Sequence, residues 1–345
     1  RHLSTTNLGA SETKEEMFSP NFTTTSVNNS TMKKIFATLI LFCVAHCATT
    51  LNAQSLSDRL KGKCGAELKS AINSCYRPKH IVSDYVGIGG AWEAFRNTDA
   101  INGCVVGRYS SPSRVFSSGG HSPSQEMAID QIVNLAWWED NNKYGDTLKF
   151  DLHHLIPCDQ NVPSLKEDFP PGIVTNATYD NGVWKSGLGE ISGYPTNIYE
   201  PADEYKGDFA RAIMYIISIY PTNKWQGRGI NFCQNNTYPA INNYAKQLLL
   251  NWHRNDPVSD FEEQRNNAIT EIQGTSNPFI DFPQLAEHVW GTLAETPFDV
   301  NPVRVPLRST YKLSDDFIDL YHPSIPQDVT WSINNSGITT NRVKP

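Results

Sequence analysis

The sequence predicts an α+β domain, mostly helical in its second half. Apolar residues after Pro201 recur at helical spacing, with Phe209, Ile213, Ile216, Ile217 and Tyr220 at i, i+4, i+7, i+8 and i+11. Two short apolar runs, Cys104-Val105-Val106 and Ile129 to Val133, read as strands. The chain of 345 residues is long enough for one large core with room for a small second module, and no internal repeat is evident.

The N-terminal region is set apart. Residues 33–53 read as a secretory signal: Lys33 and Lys34 form a charged start, Ile35 to Ala45 is an apolar run, and Leu51-Asn52-Ala53 offers small residues for cleavage before Gln54. The run is shorter than the roughly 20 residues a membrane span needs, so no span is expected in the mature form. Met32 stands where an initiator belongs, and residues 1–31 are expected to be a gene-model extension or a disordered tail. The protein is therefore expected to be secreted or periplasmic.

Residues 1–53 carry four Lys/Arg and three Asp/Glu of the chain's 29 and 36, so the remainder holds 25 and 33, net −8. Phosphate contacts dominate nucleic-acid affinity, so an acidic balance counts against tight binding unless a local basic groove exists. Five cysteines follow the signal: Cys64, Cys75, Cys104, Cys158 and Cys233. Export permits disulfides, and the odd count leaves a thiol unpaired within the chain. Cys64 and Cys75 cannot bridge along one straight helix, because eleven residues at ~1.5 Å rise exceed disulfide reach. No Cys or His spacing matches a zinc site.

Residues 56–75 have a helical pattern with Leu60, Leu68 and Ile72 apolar, and Gly62 and Gly65 are candidate breaks near its start. A short helix is expected over 90–98 and a Ser-, Gly- and Pro-rich loop over 109–124. Residues 239–253 form another helix, with Leu248, Leu249 and Trp252 apolar. Ser259-Asp260-Phe261-Glu262 is a capping box that opens a helix reaching about Gln273. A last short helix runs from Pro283 to Trp290, and a strand is expected at Val329 to Ile333. Residues 54–291 are read as the main domain, and 292–345 as a Pro-rich tail or truncated second module.

One stretch points to chemistry. Asp151-Leu152-His153-His154-Leu155-Ile156-Pro157 puts two histidines beside an aspartate in an apolar frame. Alone, it fits a metal-dependent hydrolytic site or a pair of buried structural histidines. It is joined in order by Glu200 to Arg211 (EPADEYKGDFAR), by Trp252 to Ser259 (WHRNDPVS) with Glu262, Arg265 and Asn266, and by Asn277 to Asp281 (NPFID). Gly65 to Leu68 and Trp92 also fit. Together these blocks, over roughly residues 58–291, resemble the secreted bacterial endonuclease I family.

The resemblance implies a ββα-metal (His-Me finger) core embedded in a mostly helical domain. It implies phosphodiester hydrolysis of DNA, and often RNA, with little sequence preference, supported by Mg²⁺ or Mn²⁺. In that chemistry a histidine takes a proton from the attacking water. The metal offsets charge at the scissile phosphate, held by oxygen-bearing side chains. In the family a Glu-His pair supplies a ligand and the base, and an Asn on the following helix supplies another ligand.

This chain departs at all three places. With Trp137-Trp138 on the family's aromatic pair, counting back without a gap puts Asp130 on the Glu and Gln131 on the His. Counting forward from Asp151 puts Pro163 on the Asn and keeps Lys166 and the Gly172 region aligned. Asp130 keeps a carboxylate with a shorter reach. Gln131 has no titratable site and cannot serve as a base. Pro163 has no side-chain oxygen, although it suits a helix first turn. A second register, through His121-Ser122-Pro123-Ser124, makes His121 the base but sets Gly120 at the Glu; the bland reading of His121 is an exposed loop residue.

His153 and His154 are mostly scaffold in the family pattern, with a catalytic role as the alternative. Lys206 and Arg211 are carried over as phosphate-groove residues, against a reading of their helix as a solvated face with internal ion pairs, and Lys166 is carried over as a nucleic-acid-binding residue. Trp137 and Trp138 read as core. Two function classes follow: an exported metal-dependent nuclease with a repositioned base, or a non-catalytic nucleic-acid-binding or interaction module on the same fold.

Overall fold

A computed structural model describes residues 56 and 58–299, except 111–113, 116–126, 139–143 and 222–223; it gives the backbone alone for 114–115 and for four short strands beyond residue 300. The chain divides into two units, Arg1–Gln54 and Ser55–Pro345, and the described residues lie in the second. The readings of residues 1–31, of the signal over 32–53 and of His121 therefore fall outside the described residues.

The architecture is helices with small antiparallel sheets. Helix α1 spans Gly65–Cys75 and α2 spans Ala91–Thr98. The early helical pattern is broken where the glycines stand: residues 56 and 58–60 are helical, Gly62 and Gly65 take positive φ, and the regular helix begins at Gly65. Strands β1 (Ala100–Ile101), β2 (Cys104–Val105) and β3 (Arg114–Val115) form one small sheet. Strand β4 (Met127–Gln131) lies earlier than the apolar run predicts, because the chain bends away after Gln131. It pairs antiparallel with β5 (Leu155–Asp159), with helix α3 (Asp146–Lys149) in the connection. Helix α4 (Val162–Lys166) follows at once.

Next comes a three-stranded antiparallel sheet, β6 (Asn176–Asp180), β7 (Lys185–Ile191) and β8 (Tyr194–Glu200), which no apolar run announces. One face packs Ile191 and Ile198 on Val174 and Tyr244, while Leu188 and Tyr194 are exposed.

Helix α5 (Lys206–Ile219) is the core of the second half. Its periodic apolar residues predict one buried stripe, yet every residue from Phe209 to Ile219 is buried, including Arg211 and Ser218. A helix covered on all sides needs no polar face. Helix α6 (Asn243–Asn255), α7 (Asp260–Gln273), α8 (Pro278–Asp281) and α9 (Leu285–Val289) complete the domain. Ser259 caps α7 by accepting from the Glu262 amide at 3.2 Å. The reciprocal half of the capping box is replaced: the Glu262 carboxylate takes the Arg211 guanidinium in two bonds, at 2.6 and 2.5 Å. Beyond residue 300, Trp331–Ile333 pairs with Ser336–Ile338, and Ile318–Asp319 with Arg342–Val343.

Buried ions crosslink these elements. Asp99, at the end of α2, accepts from Arg108 and Arg265, both at 2.9 Å, and from Thr98 at 2.7 Å. Burial alone pushes its carboxyl up, but Arg265 and Arg108 outweigh that and hold it below its ordinary value. Arg265 also donates to the carbonyls of Leu152 and Leu155, at 2.8 and 2.6 Å. Cys64, Cys75, Cys104, Cys158 and Cys233 are all free thiols.

Removing one member of a buried, bidentate pair strands a charge, which costs about 3–5 kcal/mol. Arg211→Ala is therefore expected to lower urea-unfolding stability by about that amount, and Arg211→Met with Glu262→Met by clearly less; a loss under ~1 kcal/mol for Arg211→Ala would remove this pair from the account of α5–α7 cohesion.

Candidate active site

Strand pairing and the short helix after it bring three of the predicted positions together. In the β4–β5 ladder Asp130 faces Ile156 and Gln131 faces Leu155. Helix α4 packs back against β4 with Pro163 in its first turn, so the proline is accommodated without breaking the helix. Asp130, Gln131 and Pro163 line one cleft of about 360 Å³. Its other walls are Tyr85, Trp92, Ile129, Asn134 and Leu135.

The charges under this cleft are turned inward. Asp130 is 4% exposed. One of its oxygens accepts from Lys166 Nζ at 3.0 Å and the other from the Tyr109 hydroxyl at 2.6 Å. Lys166 is 1% exposed; its ammonium also donates to the Gln131 carbonyl at 2.9 Å and lies 4.7 Å from the centre of the Tyr199 ring. Burial, and then the Asp130 carboxylate, push the Tyr109 hydroxyl well above its ordinary value, so it stays a donor.

Gln131 is held as an amide between two neighbours. Its Nε2 donates to the Tyr85 hydroxyl at 2.6 Å and its Oε1 accepts from the Leu135 amide at 3.2 Å. Burial keeps the Tyr85 hydroxyl protonated, pushed up to about 12. Asn134 caps the next turn, accepting from the Ala136 amide at 2.9 Å, and donates to the Glu167 carbonyl at 2.9 Å. This cap is a feature that sequence reading missed; Asn ahead of Leu135-Ala136-Trp137 is the signal that marks it.

The histidine pair sits elsewhere in the interior. His153 and His154 close a single turn, Leu152–His154, and are 2% and 0% exposed. His153 Nε2 meets the Thr275 carbonyl at 3.2 Å, and His154 Nε2 the Leu148 carbonyl at 2.8 Å. Desolvation holds both below the ordinary histidine value, His153 at about 4. Neither ring lines the cleft. Asp151 is likewise buried and accepts from the His153 amide, Gln273, Tyr215 and Tyr220 at 2.8–3.0 Å.

The predicted phosphate-groove residues are internally paired. Lys206 bridges Glu200 at 2.7 Å and Asp203 at 2.6 Å. Arg211 is 0% exposed and engaged by Glu262. With Lys166 also buried, neither Lys166 nor Arg211 presents its charge to solvent. Trp137 and Trp138 are buried in the core.

A dication of the Mg²⁺ class needs several free oxygen donors. Here the Asp130 oxygens are taken by Lys166 and Tyr109, Gln131 offers a neutral amide, and Pro163 offers no side-chain oxygen. Among the described residues, no three His, Cys, Asp or Glu side chains gather as a metal site. The residues at this cleft do not fit the metal that the resemblance implies.

Comparison with known proteins places the chain. The Endonuclease I family profile matches residues 53–284. An extracellular ribonuclease of Bacillus amyloliquefaciens is 30% identical over 243 residues, covering 66% of this chain and 75% of the relative. An extracellular ribonuclease of Bacillus subtilis (strain 168) is 27% identical over 259 residues, 73% of this chain and 83% of the relative. Endonuclease-1 of Buchnera aphidicola subsp. Baizongia pistaciae (strain Bp) is 24% identical over 133 residues, 39% and 46% respectively. The chain belongs to the Endonuclease I family.

Two stability measurements test the geometry. The folded His153 holds its proton only below about 4 against an ordinary 6.5, so the unfolded chain takes up protons first as pH falls. Its contribution is complete above pH ~6.5 and lost toward pH 4, at up to about 1.4 kcal/mol per pH unit. Chemical unfolding from pH 7 to 4 should show this fall, with a shallower slope for His153→Gln. Lys166→Met strands Asp130 and is expected to cost about 3–5 kcal/mol, largely recovered by adding Asp130→Asn; equal losses for single and double variants would refute the pairing.

Proposed function

We propose that this member of the Endonuclease I family does not carry out metal-dependent phosphodiester hydrolysis at its cleft, and serves as a non-catalytic nucleic-acid-binding module on the nuclease fold. The observation that supports this most is the state of Asp130. Its two oxygens are engaged by Lys166 and Tyr109, beneath a cleft whose other two family positions are Gln131 and Pro163. We read β4, β5 and α4 as the family's ββα core and residues 54–291 as the nuclease-like domain, exported through a signal over residues 32–53. The two Bacillus relatives are named as extracellular proteins, which agrees with export. Among the described residues no helix is long and apolar enough to cross a membrane.

The chemistry explains the loss. Hydrolysis needs a group that takes the water's proton, and a positioned base is worth roughly 10²–10⁴-fold in rate. The Gln131 amide cannot take that proton, and the two histidines of the Asp151 motif face carbonyls in the interior. A second reading, an active nuclease supported by Mg²⁺ or Mn²⁺ with His121 as its base, is favoured by the ribonuclease names of the Bacillus relatives.

Digestion of plasmid DNA and of RNA, with Mg²⁺ or Mn²⁺ and an EDTA control, decides between them. The purified protein is expected to cleave neither above the control, at least ~10²-fold below the Bacillus amyloliquefaciens relative. Clear metal-dependent cleavage overturns the non-catalytic reading, and its loss in His121→Ala would assign the base. The triple substitution Asp130→Glu, Gln131→His and Pro163→Asn is expected to raise metal-dependent cleavage above that background.

A further inference from the structure

Resting on the reading of the cleft as non-hydrolytic, we propose that it binds an uncharged nucleobase of the adenine type, presented by a nucleoside or an unpaired nucleotide, and leaves the phosphate outside. The first argument is charge. Asp130 and Lys166 neutralise each other below the surface at 3.0 Å, and neither ion offers the cleft a free charge. A phosphate finds no cation among the lining residues, all of which are neutral except Asp130. A neutral ligand carries no such electrostatic penalty.

The second argument is the polar edge. A glutamine amide has two N–H donors and two oxygen lone pairs. Gln131 gives one N–H to the Tyr85 hydroxyl and one lone pair to the Leu135 amide. Toward the described residues, that leaves one donor and one acceptor on an amide that its two bonds hold at the cleft wall. That is the pair with which a glutamine reads adenine, donating to N7 and accepting from the N6 amino group.

The third argument is shape. Tyr85 supplies accessible aromatic surface above Trp92, which is 3% exposed, while Ile129, Leu135 and Pro163 supply apolar walls. The volume, about 360 Å³, lies at the lower end of small-ligand sites, where apolar walls surround a few placed polar groups. Base stacking on aromatic side chains contributes without any contact to phosphate.

The test titrates the full protein with adenosine in EDTA, by calorimetry and by tryptophan fluorescence. Inorganic phosphate, ribose 5-phosphate and N-acetylglycinamide are the comparison ligands. Adenosine is expected to saturate a single site, with Kd changing less than about twofold between 50 and 200 mM NaCl because no phosphate contact is made. Gln131→Leu, with unchanged circular dichroism, is expected to weaken binding about tenfold. Gln131→Glu, which keeps an acceptor for Leu135 and removes the donor to N7, is the second variant should the first fail to fold, and is also expected to weaken it. Absence of adenosine saturation, equal binding of ribose 5-phosphate or inorganic phosphate, competition by N-acetylglycinamide at similar concentration, or unchanged affinity in a folded Gln131 variant would each overturn the base pocket. None of these results bears on hydrolysis, which the digestion assay decides alone.

Discussion

A carboxylate with no exposed surface must be matched donor for donor, and Asp151 is matched by four. Gln273 closes α7, Tyr215 lies within α5, Tyr220 ends it, and the His153 amide belongs to Asp151's own turn. Leaving any one of these groups unpaired in the interior costs about 1–3 kcal/mol. The turn therefore cannot shift relative to α5 or α7 without breaking several bonds at once. β5 leaves directly from this turn, and the cleft is built on β5's pairing with β4. The position of Gln131 opposite Leu155 is thus set some distance away, at a residue that never touches the cleft.

Much of the helical half is legible because helix signals are local. The apolar spacing of α5, the serine ahead of α7 and the glycine breaks before α1 each act within a few residues. The β6–β8 sheet is not legible, because its strands intersperse Thr, Asn, Gly and Pro among few apolar residues, with Ile191 and Ile198 buried beside Val174 and Tyr199 in the main core. The half-formed capping box shows the same limit: Ser259 acts locally, whereas Glu262 is claimed by Arg211, 51 residues away.

The convergence of three candidate positions on one cleft is legible in the sequence, but the electrostatics beneath them is not. Counting from Trp137-Trp138 and from Asp151 brings Asp130, Gln131 and Pro163 to one cleft. Nothing in that counting says where a charge points. Lys206 and Arg211 read equally well as groove cations or as internal partners, and Arg211, 0% exposed, is an internal partner in this fold; Lys166, carried over as a groove cation, is 1% exposed and paired with Asp130. The histidine pair is the converse case. Its motif resembles metal chemistry, while each ring is used as a polar cap on a backbone carbonyl within the core.

The Lys166–Asp130 pair has a consequence for how such a cleft can change over generations. A carboxylate locked to an ammonium is released only by altering one of the two, and each single alteration leaves the other ion buried without its counterpart. A lineage carrying this arrangement sits in a local basin: the steps that would free an oxygen for a metal pass through less stable proteins before any gain in rate. The neighbouring surface pays no such penalty. Substitutions at Tyr85, Gln131 or Asn134 change the walls of the cleft while the pair beneath stays intact. The arrangement thus steers substitution toward the neutral walls of the cleft and away from the ion pair beneath them.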